Sequence, residues 1–286
     1  MKRLTAVLAL AACSTCLLNA QFGLGKLKDK VDGAKNKAKP VSDRAERAVE
    51  NFTNWTPQEE QEIGEATAAK MIAMFGVIEA PQIVRYVNLV GQSVAQYASR
   101  PVPYRFGILD TDIVGAFALP GGFIFITRTA LEGMTNEAQL AGALGHEIVH
   151  VAERHQEAAI RGRKNSSWAV EEARAKALPG PDAWRKKADI FVSEMFNMRL
   201  SRDKEDGADE RGTLMATQAG YAADGLMDFL RTLARVNAQP RNQRAFGQLL
   251  ATHPPFEDRI AHLMPIVARS SKDGKTLEAR FRGTVK

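Results

Sequence analysis

Cysteine is nearly absent from this sequence of 286 residues, which contains only Cys13 and Cys16, both within the first twenty positions. Those positions form a predicted export signal, so the domain that follows has neither a disulfide nor a thiol nucleophile. Cysteine-protease and thiol redox chemistry are therefore excluded. Long apolar runs are also lacking, since the largely apolar stretch Leu4–Leu18 is too short to be a convincing membrane span.

The first twenty residues have the composition of a signal peptide. A positive start, Met1–Arg3, precedes the apolar stretch, and Leu18-Asn19-Ala20 is a typical cleavage site. The alternative is Leu10–Cys13, which resembles a bacterial lipoprotein box and would leave Cys13 lipidated. We favour cleavage after Ala20, because the lipoprotein box leaves only a short apolar region. Both alternatives predict an exported protein, in the periplasm or cell envelope of a bacterium.

Residues 21–55 are basic and contribute to the formal net charge of +6. Such a run is usually a solvated tether, which is the interpretation we favour, and contact with an anionic membrane surface is the alternative. No aromatic residue is interleaved with the lysines, so the sequence lacks a nucleic-acid-binding signature. These lysines are Lys26, Lys28, Lys30, Lys35, Lys37 and Lys39.

The most informative stretch is His146–His150, with the sequence His-Glu-Ile-Val-His. Two histidines four residues apart lie on one face of a helix, where both imidazoles can reach one metal ion. Glu147 stands between them and is the candidate general base of a zinc hydrolase. We call the predicted helix the HExxH helix, and Asn136 with Gln139 predicts a capping pair at its start.

The hydrophobic pattern predicts an α+β fold, a mostly helical domain with a small sheet beside the HExxH helix. Thr56-Pro57-Gln58-Glu59 is a strong helix start, and that helix is expected to end near Phe75. One domain is expected from 56 to 270, followed by a charged and frayed tail from 271 to 286. Further helices are predicted at 81–97, 169–177, 183–200, 201–219, 225–236 and 256–267.

Three short strands are predicted before the HExxH helix, at 104–110, 113–119 and 123–127. Leu119-Pro120-Gly121-Gly122 is the turn between the last two. The structural interpretation is a plain hairpin in a small sheet. In the functional interpretation, a strand at the sheet edge faces His146 and pairs with an extended substrate through main-chain hydrogen bonds. That substrate strand comprises Gly122, Phe123, Ile124 and Phe125.

A catalytic zinc ion usually has three protein ligands and one open position. One class has a third histidine six residues after the second, and it is excluded because Gln156 stands there and Glu153 replaces its glycine. His155 is one residue short of that spacing, and we interpret it as structural. A glutamate on a later helix is the other solution, and the candidates are Glu171, Glu172, Glu194 and Glu205.

Among these glutamates, Glu205 has a second carboxylate, Asp209, one helical turn later on the same face. A metal-bound histidine typically donates its other N–H to a carboxylate, so this pair can supply one ligand and the group that orients another. An ordinary charged surface helix is the alternative, given Arg202, Lys204 and Arg211 nearby. Spacing alone leaves the choice even.

Four segments, in order, resemble the CAAX-prenyl-protease-like zinc endopeptidases, a family that includes bacterial membrane and periplasmic quality-control proteases. Ser201–Asp209 resembles the S-R-x-x-E-x-E-A-D signature, which implies that Glu205 is the third zinc ligand in a zincin-like (gluzincin) domain and that Asp209 matches the family's aspartate. Gly145–Arg154 resembles the G-H-E-x-x-H-x-x-x-R run. The other segments are Ala116–Phe125, similar to N-A-F-x-x-P-G-G, and His253–Arg259, similar to H-P-x-x-x-x-R.

The resemblance extends from about Thr56 to Ile266, with two departures. Gly115 stands where the family has an asparagine before Ala-Phe, so any substrate contact by that side chain is lost. Gly207 replaces the second acid of E-x-E-A-D, and glycine weakens a helix by about 1 kcal/mol relative to alanine. Neither position is a metal ligand, so the departures concern substrate handling more than catalysis.

The leading hypothesis is an exported endopeptidase with one zinc ion per chain that acts on unfolded or extended proteins in envelope quality control. His146, His150 and Glu205 hold the zinc ion, Glu147 is the general base and Asp209 orients a ligand. A non-enzymatic chaperone or scaffold that binds extended polypeptides is the alternative, and the intact Glu147 argues against it. Hydrolysis of a non-peptide substrate is compatible with the same ligands.

His253 precedes two prolines and therefore lies on a stiff loop. It is a candidate catalytic residue, either as a removable fourth zinc ligand or as a group that stabilises the oxyanion. The structural alternative is a histidine that closes this loop onto the domain, and the sequence does not choose between them. The stretch 156–200 separates the candidate ligands in sequence, and this position alone makes it a candidate lid.

Overall fold

The computed structural model describes residues 55–161, 181–197, 199–238, 247 and 252–285. Thr56–Lys286 forms one compact unit. The predicted signal peptide, all of the basic tether before Trp55 and the predicted helix at 169–177 lie outside the described residues. Among the described helices, none combines the length and the apolar character that crossing a membrane requires.

The fold is α+β, as predicted, with helices around one three-stranded sheet. The strands are β1 Arg105–Leu109, β2 Ala116–Ala118 and β3 Phe123–Thr127. The helices that the structure describes are α1 Pro57–Phe75, α2 Pro81–Ala95, α3 Arg128–Gly133, α4 Glu137–Ala152, α5 His155–Arg161, α6 Pro181–Asn197, α7 Arg202–Gln218, α8 Gly225–Asn237, α9 Phe256–Arg269 and α10 Glu278–Val285.

Helix α1 begins with the predicted capping box. The side chain of Thr56 accepts a hydrogen bond from the Glu59 N–H, and the Glu59 carboxylate accepts one from the Thr56 N–H. The helix ends at Phe75, and Gly76 follows with a φ of 73°, which glycine adopts without strain. Both predicted ends of this helix are confirmed.

The HExxH helix is α4, and every residue from Glu137 to Val151 is buried. At its start, the Asn136 side chain accepts a hydrogen bond from the Gln139 N–H, as predicted. The Gln139 side chain, however, accepts from the Thr135 N–H rather than from Asn136. A helix buried on all sides needs small residues where its neighbours cross it, which explains the alanines and glycines of this stretch.

The sheet has the order β1-β3-β2, so β3 is its central strand. It pairs in parallel with β1, from Arg105 opposite Phe123, and antiparallel with β2, where Ala118 is opposite Ile124. The antiparallel pair confirms the hairpin, but the prediction that Phe123–Phe125 lies at a sheet edge is wrong. β1 covers that side of β3, and the nearly continuous burial of β3 is typical of a central strand. Gly122 lies in the 3₁₀ turn before it.

The predicted frayed tail is wrong for helix α10, which packs against the domain. Phe281 on this helix is fully buried and lies 6.3 Å from Tyr86, measured between ring centroids. The carbonyl of Thr276 accepts a hydrogen bond from the Glu137 N–H at the start of α4, and Arg280 pairs with the Glu137 carboxylate. The end of the described chain therefore caps the first turn of the HExxH helix.

Residues 156–168 are basic and polar, a composition that predicts a surface excursion, and this prediction is wrong for α5. His155, Glu157 and Ile160 on this helix are all buried. Helix α6 then packs along α1, where the ring of Phe196 contacts that of Phe75 at 6.0 Å. Residues 162–180, the middle of the candidate lid, lie outside the described residues, so the lid stays a prediction.

Candidate metal centre

Four side chains from separate parts of the chain meet beside α4. They are His146, His150, Glu205 and His253, and their potential ligand atoms all lie within 4.8 Å of one another. The Nε2 atoms of the first two histidines are 2.9 Å apart. Each of these two Nε2 atoms, and that of His253, lies 3.7 Å from a carboxylate oxygen of Glu205. This donor set of imidazole nitrogens and one carboxylate is typical of a catalytic zinc site.

The surroundings of Glu205 test whether a cation fits. Its side chain is fully buried, and neither carboxylate oxygen has a hydrogen-bond partner. Burial raises the pKa of this carboxyl group to about 7. A buried carboxylate with no partner is strongly unfavourable by itself, whereas a cation held between it and the histidines would compensate its charge. The residues therefore fit a divalent metal ion.

Close contact between two helices positions Glu205. Helix α7 crosses α4 where Gly212 faces Gly145. A Cβ atom added to Gly212 would lie only 2.6 Å from the backbone nitrogen of His146. Because the backbones approach this closely, the first turn of α7 carries its Glu205 carboxylate to the histidines on α4. Asp209, one turn later, is brought to the same face.

Asp209 orients the first histidine of the motif. Its Oδ1 lies 2.8 Å from Nδ1 of His146, which leaves the Nε2 of that ring directed at the cluster. Burial alone would raise the pKa of Asp209, but the charge and hydrogen bonds of Arg259 more than offset this and hold the pKa well below its usual range. Asp209 is therefore an ionised acceptor that fixes the His146 ring.

The second histidine has a different partner. Nδ1 of His150 lies 2.8 Å from Nδ1 of His155, a residue whose side chain is buried. Burial lowers the pKa of His155 to about 4, so this imidazole is neutral at physiological pH. The interpretation of His155 as merely structural therefore misses a direct hydrogen bond to a candidate ligand.

Glu147 lies between the cluster and the sheet. It is buried, and its carboxylate accepts a hydrogen bond from the backbone N–H of Ala118 in β2. Burial raises the pKa of Glu147 above its usual value. A carboxyl group with a raised pKa, held beside a metal site, is suited to take up and release a proton.

Glu147 and Ala116 of β2 both line two cavities beside the site. The first is mainly apolar, and its wall is formed largely by Ala143, Leu226, Phe229, Leu230 and Leu233. The second lies toward α6 and is lined in part by Phe117, Met195, Leu200 and Thr252. The predicted substrate residue Phe123 lines neither cavity, and the edge strand β2 takes the position expected for it.

Comparison with known proteins identifies the family. The sequence model of peptidase family M48 matches residues 81–267, which is well over half of the chain. The chain belongs to peptidase family M48. This confirms the resemblance found in the sequence, the zincin-like fold class and the assignment to the metalloendopeptidases.

Relatives of this M48 chain include several proteins that are named as proteases. It is 26% identical over 250 residues to the beta-barrel assembly-enhancing protease of Escherichia coli (strain K12), over 79% of this chain and 48% of that protein. It is 27% identical over 213 residues to the metalloprotease YcaL of the same strain, over 70% of this chain and 80% of the relative. The mitochondrial metalloendopeptidase OMA1 of Arabidopsis thaliana is 28% identical over 152 residues, 53% of this chain and 29% of that protein. The chain spans about half the length of the first of these relatives.

Two contacts of this M48 site could not be read from sequence spacing. Arg259 and its partner Asp209 are 50 residues apart, and the family-like segments that contain them do not show that they pair. His155 follows His150 by five residues, a spacing that points away from it on a regular helix. The break between α4 and α5 is what turns His155 back toward the site.

Proposed function

We propose that this M48 protein is an exported zinc-dependent endopeptidase that hydrolyses peptide bonds in extended or unfolded proteins. The observation that carries the proposal is the buried Glu205 carboxylate, which has no hydrogen-bond partner and faces the Nε2 atoms of His146 and His150. His146, His150 and Glu205 would hold one zinc ion. Glu147, beside them, would be the general base.

The chemistry follows from these residues. A zinc ion bound here would lower the pKa of a water molecule and polarise the carbonyl group of a substrate. Glu147 takes a proton from the attacking water and passes it to the leaving amine, and its raised pKa suits both transfers. Asp209, held by Arg259, keeps the His146 ring in the orientation and tautomer that a ligand requires.

The edge strand β2 supports an extended substrate as the occupant of the cleft. β2 pairs with β3 on one side, and no other described strand pairs with it. The Ala118 N–H already donates to Glu147, so an added strand would pair with the other backbone groups on the outer side of β2. Alternate side chains of an extended peptide point in opposite directions, which suits the two cavities beside Ala116. β2, rather than the predicted Gly122–Phe125, is therefore the proposed substrate strand.

His253 is proposed as the removable fourth ligand. Its Nε2 is 3.7 Å from Glu205, and its Nδ1 is 2.9 Å from the hydroxyl oxygen of Thr252. The side chain is 15% exposed, whereas those of His146, His150 and Glu205 are at most 3% exposed. A histidine on the rim of the site can withdraw more easily than its buried partners, which would leave a coordination position for substrate.

The predicted export signal supports a place in the bacterial cell envelope. A role there in protein quality control is compatible with the name of one relative, a beta-barrel assembly-enhancing protease. Contact with the membrane, through the basic residues 21–55 or a lipidated Cys13, stays part of this proposal. Both features lie outside the described residues.

Casein degradation by the purified protein tests the proposed activity. Glu147→Gln and a zinc chelator are each expected to abolish degradation, while the zinc content of the variant equals that of the wild type. Glu65→Gln changes an exposed glutamate on α1 and is the matched control, with degradation unchanged. Degradation that persisted both in Glu147→Gln and after chelation would contradict the proposal.

A further inference from the structure

Each histidine that binds a metal through one ring nitrogen has a second nitrogen whose hydrogen bond sets the tautomer. For His146 the second nitrogen meets a carboxylate, that of Asp209, at 2.8 Å. For His150 it meets another imidazole, that of His155, at 2.8 Å. The two candidate ligands on α4 are therefore oriented in chemically different ways.

Polar contacts continue beyond His155 to the surface. Its Nε2 lies 3.1 Å from the Glu153 carboxylate. Arg211 on α7 contacts both oxygens of Glu153, at 2.6 and 2.7 Å. A carboxylate paired with a guanidinium in this way is ionised and can only accept hydrogen bonds.

The direction of each hydrogen bond follows from the Glu153 carboxylate at the outer end of this series of contacts. Because Glu153 only accepts, Nε2 of His155 carries the proton and its Nδ1 holds a lone pair. That lone pair accepts from the Nδ1–H of His150, so Nε2 of His150 is left with the lone pair that a metal ion requires. The opposite order would place a proton on Nε2 of His150 and block it as a ligand.

We propose that Arg211, Glu153 and His155 form a relay that fixes the tautomer and ring orientation of His150, with His155 as a positioning residue. The proposal rests on the proposed zinc site. It assigns to Glu153 and Arg211 the task that Asp209 and Arg259 perform for His146, with one imidazole interposed.

The backbone conformation between α4 and α5 places His155 in this relay. Helix α4 ends at Ala152, and Arg154 has a φ of 54°, a left-handed value that is rare for a residue with a side chain. This turn redirects the chain so that His155 faces back toward His150. Arg154 is held in the turn by an ion pair with the buried Glu60, 3.1 Å away.

The relay also becomes more exposed with distance from the site. The side chains of His150 and His155 are 1% and 7% exposed, whereas those of Glu153 and Arg211 are 30% and 46% exposed. Substitutions at the outer end therefore perturb the hydrogen bonds without opening a cavity in the core. Their effect on metal binding should decrease from His155 to Arg211.

The test measures zinc affinity of the full chain by competition with a chromophoric chelator, and the visible spectrum of the cobalt-loaded protein. His155→Ala is expected to weaken zinc binding by about 10- to 100-fold and to shift the cobalt spectrum. His155→Gln should recover part of the affinity, because an amide both donates and accepts. Glu153→Gln and Arg211→Ala should give progressively smaller losses.

Arg231→Ala is the matched control, since Arg231 is 46% exposed like Arg211 and pairs with Asp228 on α8. It should leave zinc affinity unchanged. Wild-type affinity and spectrum in both His155→Ala and Glu153→Gln would overturn the relay alone. A wild-type protein that bound no zinc would overturn the relay together with the proposed function. If His155→Ala does not fold, judged by circular dichroism, Glu153→Gln at the surface decides the outcome.

Discussion

Arg259 contacts both carboxylate oxygens of Asp209, with its Nε 2.9 Å from Oδ2 and a terminal nitrogen 2.6 Å from Oδ1. Both side chains are buried, and Asp209 also accepts a hydrogen bond from His146 on α4. Neither charge could be buried alone at a tolerable free energy, so the two residues form one unit. That unit joins α9, α7 and α4 directly behind the candidate metal site.

Arg259→Met tests this unit, because it removes the guanidinium and keeps most of the side-chain length. It leaves the Asp209 carboxylate buried without its cation, and we expect the free energy of unfolding to fall by about 3–5 kcal/mol. Adding Asp209→Asn should recover part of the loss, since no unpaired charge then remains. Urea denaturation of the metal-free proteins measures both values. A double variant less stable than Arg259→Met would contradict the pairing as the cause.

Local sequence patterns predicted most of the site, because His146, Glu147 and His150 lie within five successive residues of one helix. The spacing of His146 and His150 depends only on the period of a helix, and the capping box at Thr56 depends only on four successive residues. The assignment of Glu205 needed the family resemblance, since four glutamates were available and the spacing of Glu205 and Asp209 fitted an ordinary charged surface helix equally well. Motif order carried information that helix periodicity did not.

The misplaced substrate strand has a different cause. The order of strands in a sheet is set by long-range pairing. The sequence Phe123–Thr127 alone does not predict that β1 pairs in parallel with β3 on the side opposite β2. The continuous apolar run of β3 is typical of a central strand, because both faces of such a strand are covered.

The helical tail was missed because a single buried aromatic residue, Phe281, anchors an otherwise charged segment.

Glu60→Gln gives a prediction on pH dependence. The Glu60 carboxylate is buried and accepts hydrogen bonds from Arg100, at 2.8 and 2.7 Å, and from the Gly121 N–H. Burial raises the pKa of Glu60, but the charge and hydrogen bonds of Arg100 and the neighbouring donors lower it by more. The net pKa therefore lies below its ordinary value of 4.5. Ionised Glu60 therefore stabilises the fold above that ordinary value, and the benefit is lost as the pH falls through the lower folded-state pKa.

At pH 7, Glu60→Gln should lower the free energy of unfolding by about 3 kcal/mol. The difference from the wild type should persist down to about pH 5 and shrink below the unfolded-state pKa. Denaturation at a series of pH values measures it, with Glu65→Gln on the exposed face of α1 as the control. A difference that stayed constant to pH 3 would show that the charge of Glu60 is not responsible.

His253→Ala tests the removable ligand. Loss of one nitrogen donor should weaken zinc binding by about tenfold, equivalent to about 1.4 kcal/mol. Turnover of a short peptide at saturating zinc should be retained or raised, because the other three ligands remain. His262→Ala is the control, since His262 bonds the backbone carbonyl of Asp206 and lies outside the group of four. Zinc affinity and turnover both equal to wild type would remove His253 from the site.

Gly212→Ala tests whether the contact between α4 and α7 sets the ligand geometry. The added Cβ would lie 2.6 Å from the His146 nitrogen and 2.7 Å from the Gly145 carbonyl carbon, both backbone atoms that cannot rotate away. The helices must separate, which moves Glu205 relative to the histidines. We expect a loss of about 1–3 kcal/mol in stability together with a marked loss of zinc affinity.

Gly283→Ala is the matched control for this change, because an added Cβ at Gly283 on α10 meets no atom within 4 Å. It should stabilise the protein slightly, by up to about 1 kcal/mol, through the helix preference of alanine. Thermal melting with and without zinc measures both variants. If Gly212→Ala melted at a lower temperature yet gained as much from zinc as the wild type, the contact would serve stability alone. A smaller gain from zinc in Gly212→Ala, but not in Gly283→Ala, is the result that places the ligand geometry under the control of this helix crossing.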